Sequence, residues 1–263
     1  MDDDTNKIHP ATTSTSTTTT VLPPSPTFAQ YLEHVYDHVV TSYLEFEQGN
    51  EATTTTIKSS PFYYHIVVGN QAGDCDSIIS ALTYAYIQQQ QQQHQKNTLL
   101  RSSSSTSSNL ITPTDHPQEH STNNKDKNIT YIPLIPFPRE DMILRRDATL
   151  LLSRCGISNF NKLLFVNDSI VTNYMLIPER LTAITLVDHN KLQSNPYLKD
   201  SYLSNYVVEI LDHHLDEGEH STTVTNRNIA FHDGFPTVGS CCTLVGETLM
   251  QFYYIMETRK VSS

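Results

Sequence analysis

Apolar residues recur along this chain in two alternating rhythms. From Phe28 to Phe46, the residues Phe28, Tyr31, Leu32, Val35, Tyr36, Val39, Val40 and Tyr43 fall at steps of three and four, which predicts an amphipathic helix. Phe62 to Val68 (FYYHIVV) is aromatic and β-branched and stops at Gly69-Asn70, the signature of a buried strand running into a turn. Helical spacing returns from Ser77 to about Ile87 through Ile78, Ile79, Ala81, Leu82, Ala85 and Tyr86. Ile129 to Leu134 predicts a second strand, and Arg139 to Arg154, with Met142, Ile143, Leu144, Leu150, Leu151 and Leu152, predicts a helix that Gly156 ends. Further strands are expected at Lys162 to Val166, Ala183 to Val187, Val207 to Leu211 and Thr222 to Ala230. A last helix, Ser240 to Met256, turns Cys241, Leu244, Val245, Leu249, Phe252 and Tyr253 inward. Strand and helix alternate, and the strands are short continuous apolar runs, so the expected class is α/β: a mostly parallel sheet flanked by helices.

Two stretches break this pattern. Residues 1 to 27, with TTSTSTTTT and PPSP, have no apolar periodicity to offset chain entropy and read as a disordered tail. Residues 88 to 128, with QQQQQQHQ and a serine tract, read as a disordered low-complexity insertion. One folded domain, 28 to 258, remains.

Composition narrows the function classes. With 17 Lys+Arg against 28 Asp+Glu the net charge is −11, which argues against a general nucleic-acid or membrane-surface binder. The cysteines Cys75, Cys155, Cys241 and Cys242 show no zinc or disulfide spacing, which fits a reducing compartment, and the acidic start MDDDTNK lacks a secretion signal. A soluble cytoplasmic protein is expected.

Three apolar strands end in polar clusters: VVGNQAGDCDS, TLVDHN and EILDHH. In a parallel sheet the carboxyl ends of the strands share one edge, where ligands bind, so Asn70, Asp74, Asp76, Asp188, His189, Asp212, His213 and His214 should converge. Carboxylates mixed with imidazoles suit Mn²⁺, Mg²⁺ or Co²⁺ better than a thiolate zinc site. Blander readings exist for each cluster: Asp76-Ser77 as a helix cap, with Asp74 not needed for it, and Asp188-His189-Asn190 as a polar turn. Convergence of all three is what argues against mere loops. His34, His38, His65 and His220 read as surface or packing residues.

GNQAGDCDS before an apolar helix, then LVDHN, ILDHH and VGSCCTLV, resembles the DHH phosphoesterase superfamily, and within it the eukaryotic exopolyphosphatase and prune branch. IPFPREDMILRRDATLLLSRCGI followed by LLFVND resembles the exopolyphosphatases, as do Asn70 in place of the pyrophosphatases' histidine and the intact Asp212-His213-His214. The resemblance implies a hydrolase that removes terminal phosphates from inorganic polyphosphate, with pyrophosphatase and cyclic-nucleotide phosphodiesterase as variants within the class. It implies two metal ions, Mn²⁺ foremost, with Asp74 and Asp76 each feeding one, Asp188 bridging, His213 binding the second and Asn70 in the metal set. His214, with His189 as alternative, would lie at the scissile phosphate, and Asp212 would orient a histidine. Arg139, Arg145 and Arg146 read either as a solvated helix face or as contacts to the polyanion. Ser240 and the N–H groups of Cys241-Cys242, opening the last helix, read either as a phosphate site or as close packing. The family's fourth-motif aspartate and its smaller C-terminal domain are not found before Ser263, so a regulatory remnant that binds metal, phosphate or a protein partner is the competing expectation.

Overall fold

The structure is a computed structural model and describes residues 26–51, 62–104, 128–192 and 195–261. Most of the expected tail and the later part of the expected insertion lie outside these residues. The element order is α1 (Phe28–Glu51), β1 (Tyr63–Val68), α2 (Cys75–Ser104), β2 (Ile129–Ile135), α3 (Arg146–Arg154), β3 (Leu164–Phe165), β4 (Leu181–Val187), β5 (Val207–Asp212), β6 (Asn226–Ile229), β7 (Phe231–His232), β8 (Phe235–Pro236) and α4 (Cys241–Val261).

β1 to β6 form one parallel sheet in the order β3-β2-β1-β4-β5-β6, flanked by helices. The chain first winds from β1 outward to β3, then crosses back to β4 and winds the other way. β1 and β4 are therefore neighbours from which successive connections diverge, the switch point that opens a crevice at the carboxyl edge of such sheets. The central strands are apolar on both faces, and Ile66, Val67, Val68, Ile132, Leu134, Ile184, Leu186 and Ile210 are all buried. Burial of that kind explains why the strands read as unbroken apolar runs rather than as alternation. β7 and β8 form a separate antiparallel hairpin closed by Asp233-Gly234, both at positive φ, as a tight primed turn requires.

Three differences from the sequence reading have physical causes. α2 does not stop near Ile87; it continues through the glutamine run to Ser104. Glutamine is a good helix former, and Gln89 accepts a hydrogen bond from the Tyr131 backbone at 3.0 Å while Gln90 is buried, so the run is tied to β2 rather than released from the fold. The single helix expected over 139–154 is a 3-10 turn (Arg139–Leu144) followed by α3, with a break at Arg145. That break shifts the helical phase: Met142, Ala148 and Leu152 face the core, whereas Ile143, Leu144, Leu150 and Leu151 are exposed. In α4, Tyr253 is exposed rather than inward. Among the described residues, no helix is long and apolar enough to cross a membrane.

Candidate metal centre

β1 ends at Val68, and the chain turns through Gly69-Asn70 and Gly73 into α2. Asp74 caps that helix: its Oδ1 accepts from Ser77 N at 2.9 Å. The sequence suggests Asp76-Ser77 as the cap and gives Asp74 no part in it; the roles are the reverse. Asp76, in the first turn of α2, reaches across to the start of α4, where its carboxylate accepts from Ser240 Oγ (2.7 Å), Cys241 N (2.8 Å) and Cys242 N (2.8 Å). Burial raises the Asp76 pKa, but these donors outweigh it and hold the carboxyl below its ordinary range. The N–H groups considered as a phosphate cradle are thus engaged by an internal anion, and the Ser240 hydroxyl is engaged with them.

Asp188 follows β4 at φ 63°, an uncommon conformation for a non-glycine residue, and is 2% exposed. Asn70 donates to its Oδ2 at 2.6 Å and to its backbone carbonyl at 3.2 Å, while accepting from Gly73 N at 3.1 Å. Asn70 is therefore at the site, with its amide engaged by Asp188. Burial, then the charges of Asp76, Asp74 and Asp212, push the Asp188 pKa up to about 8. Its other oxygen, Oδ1, is buried with no hydrogen-bond partner.

β5 delivers Asp212, His213 and His214. Asp212 is fully buried, and its Oδ1 accepts from the backbone N–H of His213 (2.8 Å) and His214 (3.2 Å) and from His214 Nδ1 (2.8 Å). Its Oδ2 accepts from Asn190 Nδ2 at 2.6 Å. Both Asp212 oxygens are thus engaged by donors of the protein itself. His213 points Nδ1 at the Val238 carbonyl (3.4 Å), which fixes the proton on Nδ1 and leaves a lone pair on Nε2. That Nε2 lies 3.2 Å from Asp188 Oδ1 and 3.6 Å from Asp76 Oδ2. His214 Nδ1 is 3.9 Å from the same Asp188 oxygen.

A lone pair facing two carboxylate oxygens, one of them buried without a donor, is repulsive unless positive charge lies between them, either a proton on the raised Asp188 carboxyl or a metal ion. The residues present fit a divalent ion: Asp188, His213 and His214 bring ligand atoms within 4.8 Å of one another, with Asp76 alongside. An oxygen-and-imidazole donor set suits Mn²⁺, Mg²⁺, Co²⁺ or Zn²⁺ without selecting among them.

Other candidates are placed differently. His189 donates Nδ1–H to the Val187 carbonyl at 2.9 Å, and burial lowers its pKa, so it stays neutral. Arg139 forks onto Asp168 with Nε and Nη2 (3.0 and 2.6 Å), donates to the Leu163 carbonyl and stacks on Phe165. Arg145 donates to the carbonyls of Gly73 and Ala72 and stacks on Phe137. Of the three arginines, Arg146 is the exposed one, at the head of α3. Sequence reasoning does not single out Asn190; its only signal is its place in the DHN triplet after β4.

The chain also resembles known proteins in sequence. Residues 65–262 match the model of the DHH family, N-terminal domain. The chain is similar to a Schizosaccharomyces pombe protein named "Putative exopolyphosphatase", 28% identical over 213 residues that make up 79% of this chain and 41% of that protein. It is also similar to Exopolyphosphatase PRUNE1 of Bos taurus and of Rattus norvegicus, each 27% identical over 187 residues, 71% of this chain and 31% of theirs. The chain spans less than half the length of these relatives. Covering three quarters of the sequence, the match extends from β1 through α4 and takes in every strand-end cluster described above, and the chain belongs to the DHH family.

Proposed function

We propose that this domain catalyses divalent-metal-dependent hydrolysis of phosphoanhydride bonds, releasing terminal phosphate from inorganic polyphosphate. The observation that carries the reading is the buried, donorless Asp188 Oδ1 facing the lone pair of His213 Nε2 at the switch point of the sheet. Family membership and the names of the relatives support phosphoester or phosphoanhydride chemistry. Asp188 is the shared ligand in this reading, with Asp74, Asp76 and His213 completing two cation positions. Bound there, divalent ions supply a water of lowered pKa and neutralise the phosphate oxygens. Asn70 holds Asp188 in place through its second oxygen. His214, oriented by Asp212 and with its side chain 56% exposed, is the imidazole available to a phosphate at the mouth. His189 is the weaker candidate for proton donation, because its Nδ1–H is already given to Val187.

The test is phosphate release from long-chain polyphosphate with Mn²⁺, Mg²⁺ or Co²⁺, against chelator and Asp188→Asn controls. Chelator-sensitive release that disappears in the mutant is expected. A folded chain that binds Mn²⁺ but releases no phosphate would mean a metal-binding module that depends on further sequence for catalysis.

A further inference from the structure

β3 is an edge strand of the sheet, and an edge strand turns a row of backbone N–H and C=O groups towards any chain that comes near. Val166 N–H donates inward to the Ile135 carbonyl at 3.0 Å, so the alternation of an extended backbone turns the groups of Leu163 and Phe165 away from β2. All of these outward groups are taken. Leu163 N–H donates to the Phe160 carbonyl (3.2 Å), and the Leu163 carbonyl accepts from Arg139 Nη2 (2.8 Å). Phe165 N–H donates to Asp168 Oδ2 (2.9 Å), and the Phe165 carbonyl accepts from Asp168 N–H (3.0 Å). Arg139 and Asp168 also hold each other, Nε to Oδ1 and Nη2 to Oδ2, so the two side chains that cover the edge are locked together. The surroundings would otherwise suit an added strand. Arg139 lines two open cavities of about 470 Å³ each, one walled by Ile143, Phe160 and Phe165 and the other by Tyr36, Val40 and Ile170.

We infer that the Arg139–Asp168 pair is a plug that closes the β3 edge to strand addition by a second copy of this chain. Its side chains cover one outward acceptor, the Leu163 carbonyl, and one outward donor, the Phe165 N–H. Without the Asp168 carboxylate, Phe165 N–H loses its acceptor and Arg139 loses the anchor that aims it at Leu163. A second copy is the occupant because an edge freed in one molecule is freed in all, and each then offers the donors, acceptors and apolar cavity walls that the other lacks. A guanidinium suits the plug, since its planar fork serves a carboxylate and a carbonyl at once. The inference stands apart from the hydrolase reading, because it concerns association and not turnover.

Sedimentation velocity of the 263-residue chain from micromolar concentrations upward reads association, and amide hydrogen exchange reads the Phe165 N–H itself. In wild type the Phe165 amide is expected to exchange slowly at every concentration. Asp168→Ala is expected to shift to larger species as concentration rises, beyond any shift of wild type. Its Phe165 amide should exchange fast in dilute solution and slowly again where the larger species forms. Leu244→Ala, which opens a gap in the buried face of α4, controls for lost stability alone and should lower the urea midpoint while sedimenting as wild type. Should Asp168→Ala fail to fold, Arg139→Met, which frees the Leu163 carbonyl and keeps an apolar stem on Phe165, carries the sedimentation test. A fast-exchanging Phe165 amide in wild type overturns the inference with no variant needed. A folded edge variant that sediments as wild type overturns it too, as does association without renewed protection of Phe165 in Asp168→Ala. Equal association of Leu244→Ala would likewise overturn it, by tracing the effect to destabilisation.

Discussion

The Arg145 guanidinium donates to the Gly73 carbonyl at 2.7 Å from a position 72 residues along the chain, with the Phe137 ring beneath it. A second donation, to Ala72 at 2.6 Å, makes this a clamp on the turn between Asn70 and Asp74. Gly73 itself sits at φ +56°, and a Cβ there would fall 2.1 Å from Phe137 Cδ1.

Arg145→Met should therefore loosen the turn while keeping the stack on Phe137. We expect a stability loss of about 1 to 3 kcal/mol in urea unfolding, from hydrogen bonds given by a charged group, and weaker Mn²⁺ binding. If Arg145 instead served the polyanion, KM for polyphosphate would rise with stability unchanged. Gly73→Ala, strained in backbone and without space, should be the more damaging of the two.

Asp188→Asn has opposite consequences with and without metal. In the metal-free chain Asp188 keeps its proton up to about pH 8, whereas an unfolded aspartate loses it at about pH 4. Between those values the folded state binds more protons, so stability falls as pH rises through the window. Asparagine has no proton to lose. In chelator, urea midpoints from about pH 5 to 8.5 should decline for wild type more steeply than for the mutant, and the mutant should fail to bind Mn²⁺; parallel declines would contradict the buried, raised carboxyl.

His65 gives a second pH dependence of opposite sign, well below the site. Its Nε2 donates to Thr185 Oγ1 (2.8 Å), which in turn donates to Glu209 (3.1 Å), and burial pushes its pKa down to about 4. Above pH 6.5 its contribution is fully present. As pH falls towards about 4 the unfolded state takes up the proton first, and stability is lost with a slope that approaches roughly 1.4 kcal/mol per pH unit. In the Asp188→Asn background, where no raised carboxyl offsets it, His65→Phe should flatten the stability profile between about pH 4.5 and 6.5, measured by thermal unfolding.

Ser240→Ala separates two readings of the α4 start. As a donor to Asp76 Oδ1, the hydroxyl should be worth about 1 kcal/mol of stability, with KM for polyphosphate unmoved. A several-fold rise in KM at unchanged stability would instead assign Ser240 to the substrate.

The sheet is legible in the sequence because its central strands are covered on both sides, so that Ile66 to Val68 and Ile184 to Val187 leave unbroken apolar runs. Convergence of Asp76, Asp188 and His213 is legible for the same reason: parallel strands end at one edge, whatever the loops do. What escapes are pairings set by distant side chains. Nothing local to Arg139 indicates that Asp168 will take its guanidinium, and nothing local to Asp76 indicates the N–H groups of Cys241 and Cys242. The break at Arg145 escapes too, since helical spacing runs through it and only the clamp on Gly73 gives the residue reason to leave the helix.

The glutamine run in α2 carries a consequence for how its length can vary. Gln89 is held against β2 by the Tyr131 N–H, Gln90 is buried beside it, and the helix continues beyond them to Ser104. A codon gained or lost after Gln90 leaves that anchorage, and everything from Asn70 to Ile87, where it was. It advances the outer part of the helix by about 1.5 Å and turns it by about 100°. Chains differing in the length of this run would thus share one strand-end site while aiming the residues from His94 outward in different directions, like the hand of a clock moved on a fixed spindle.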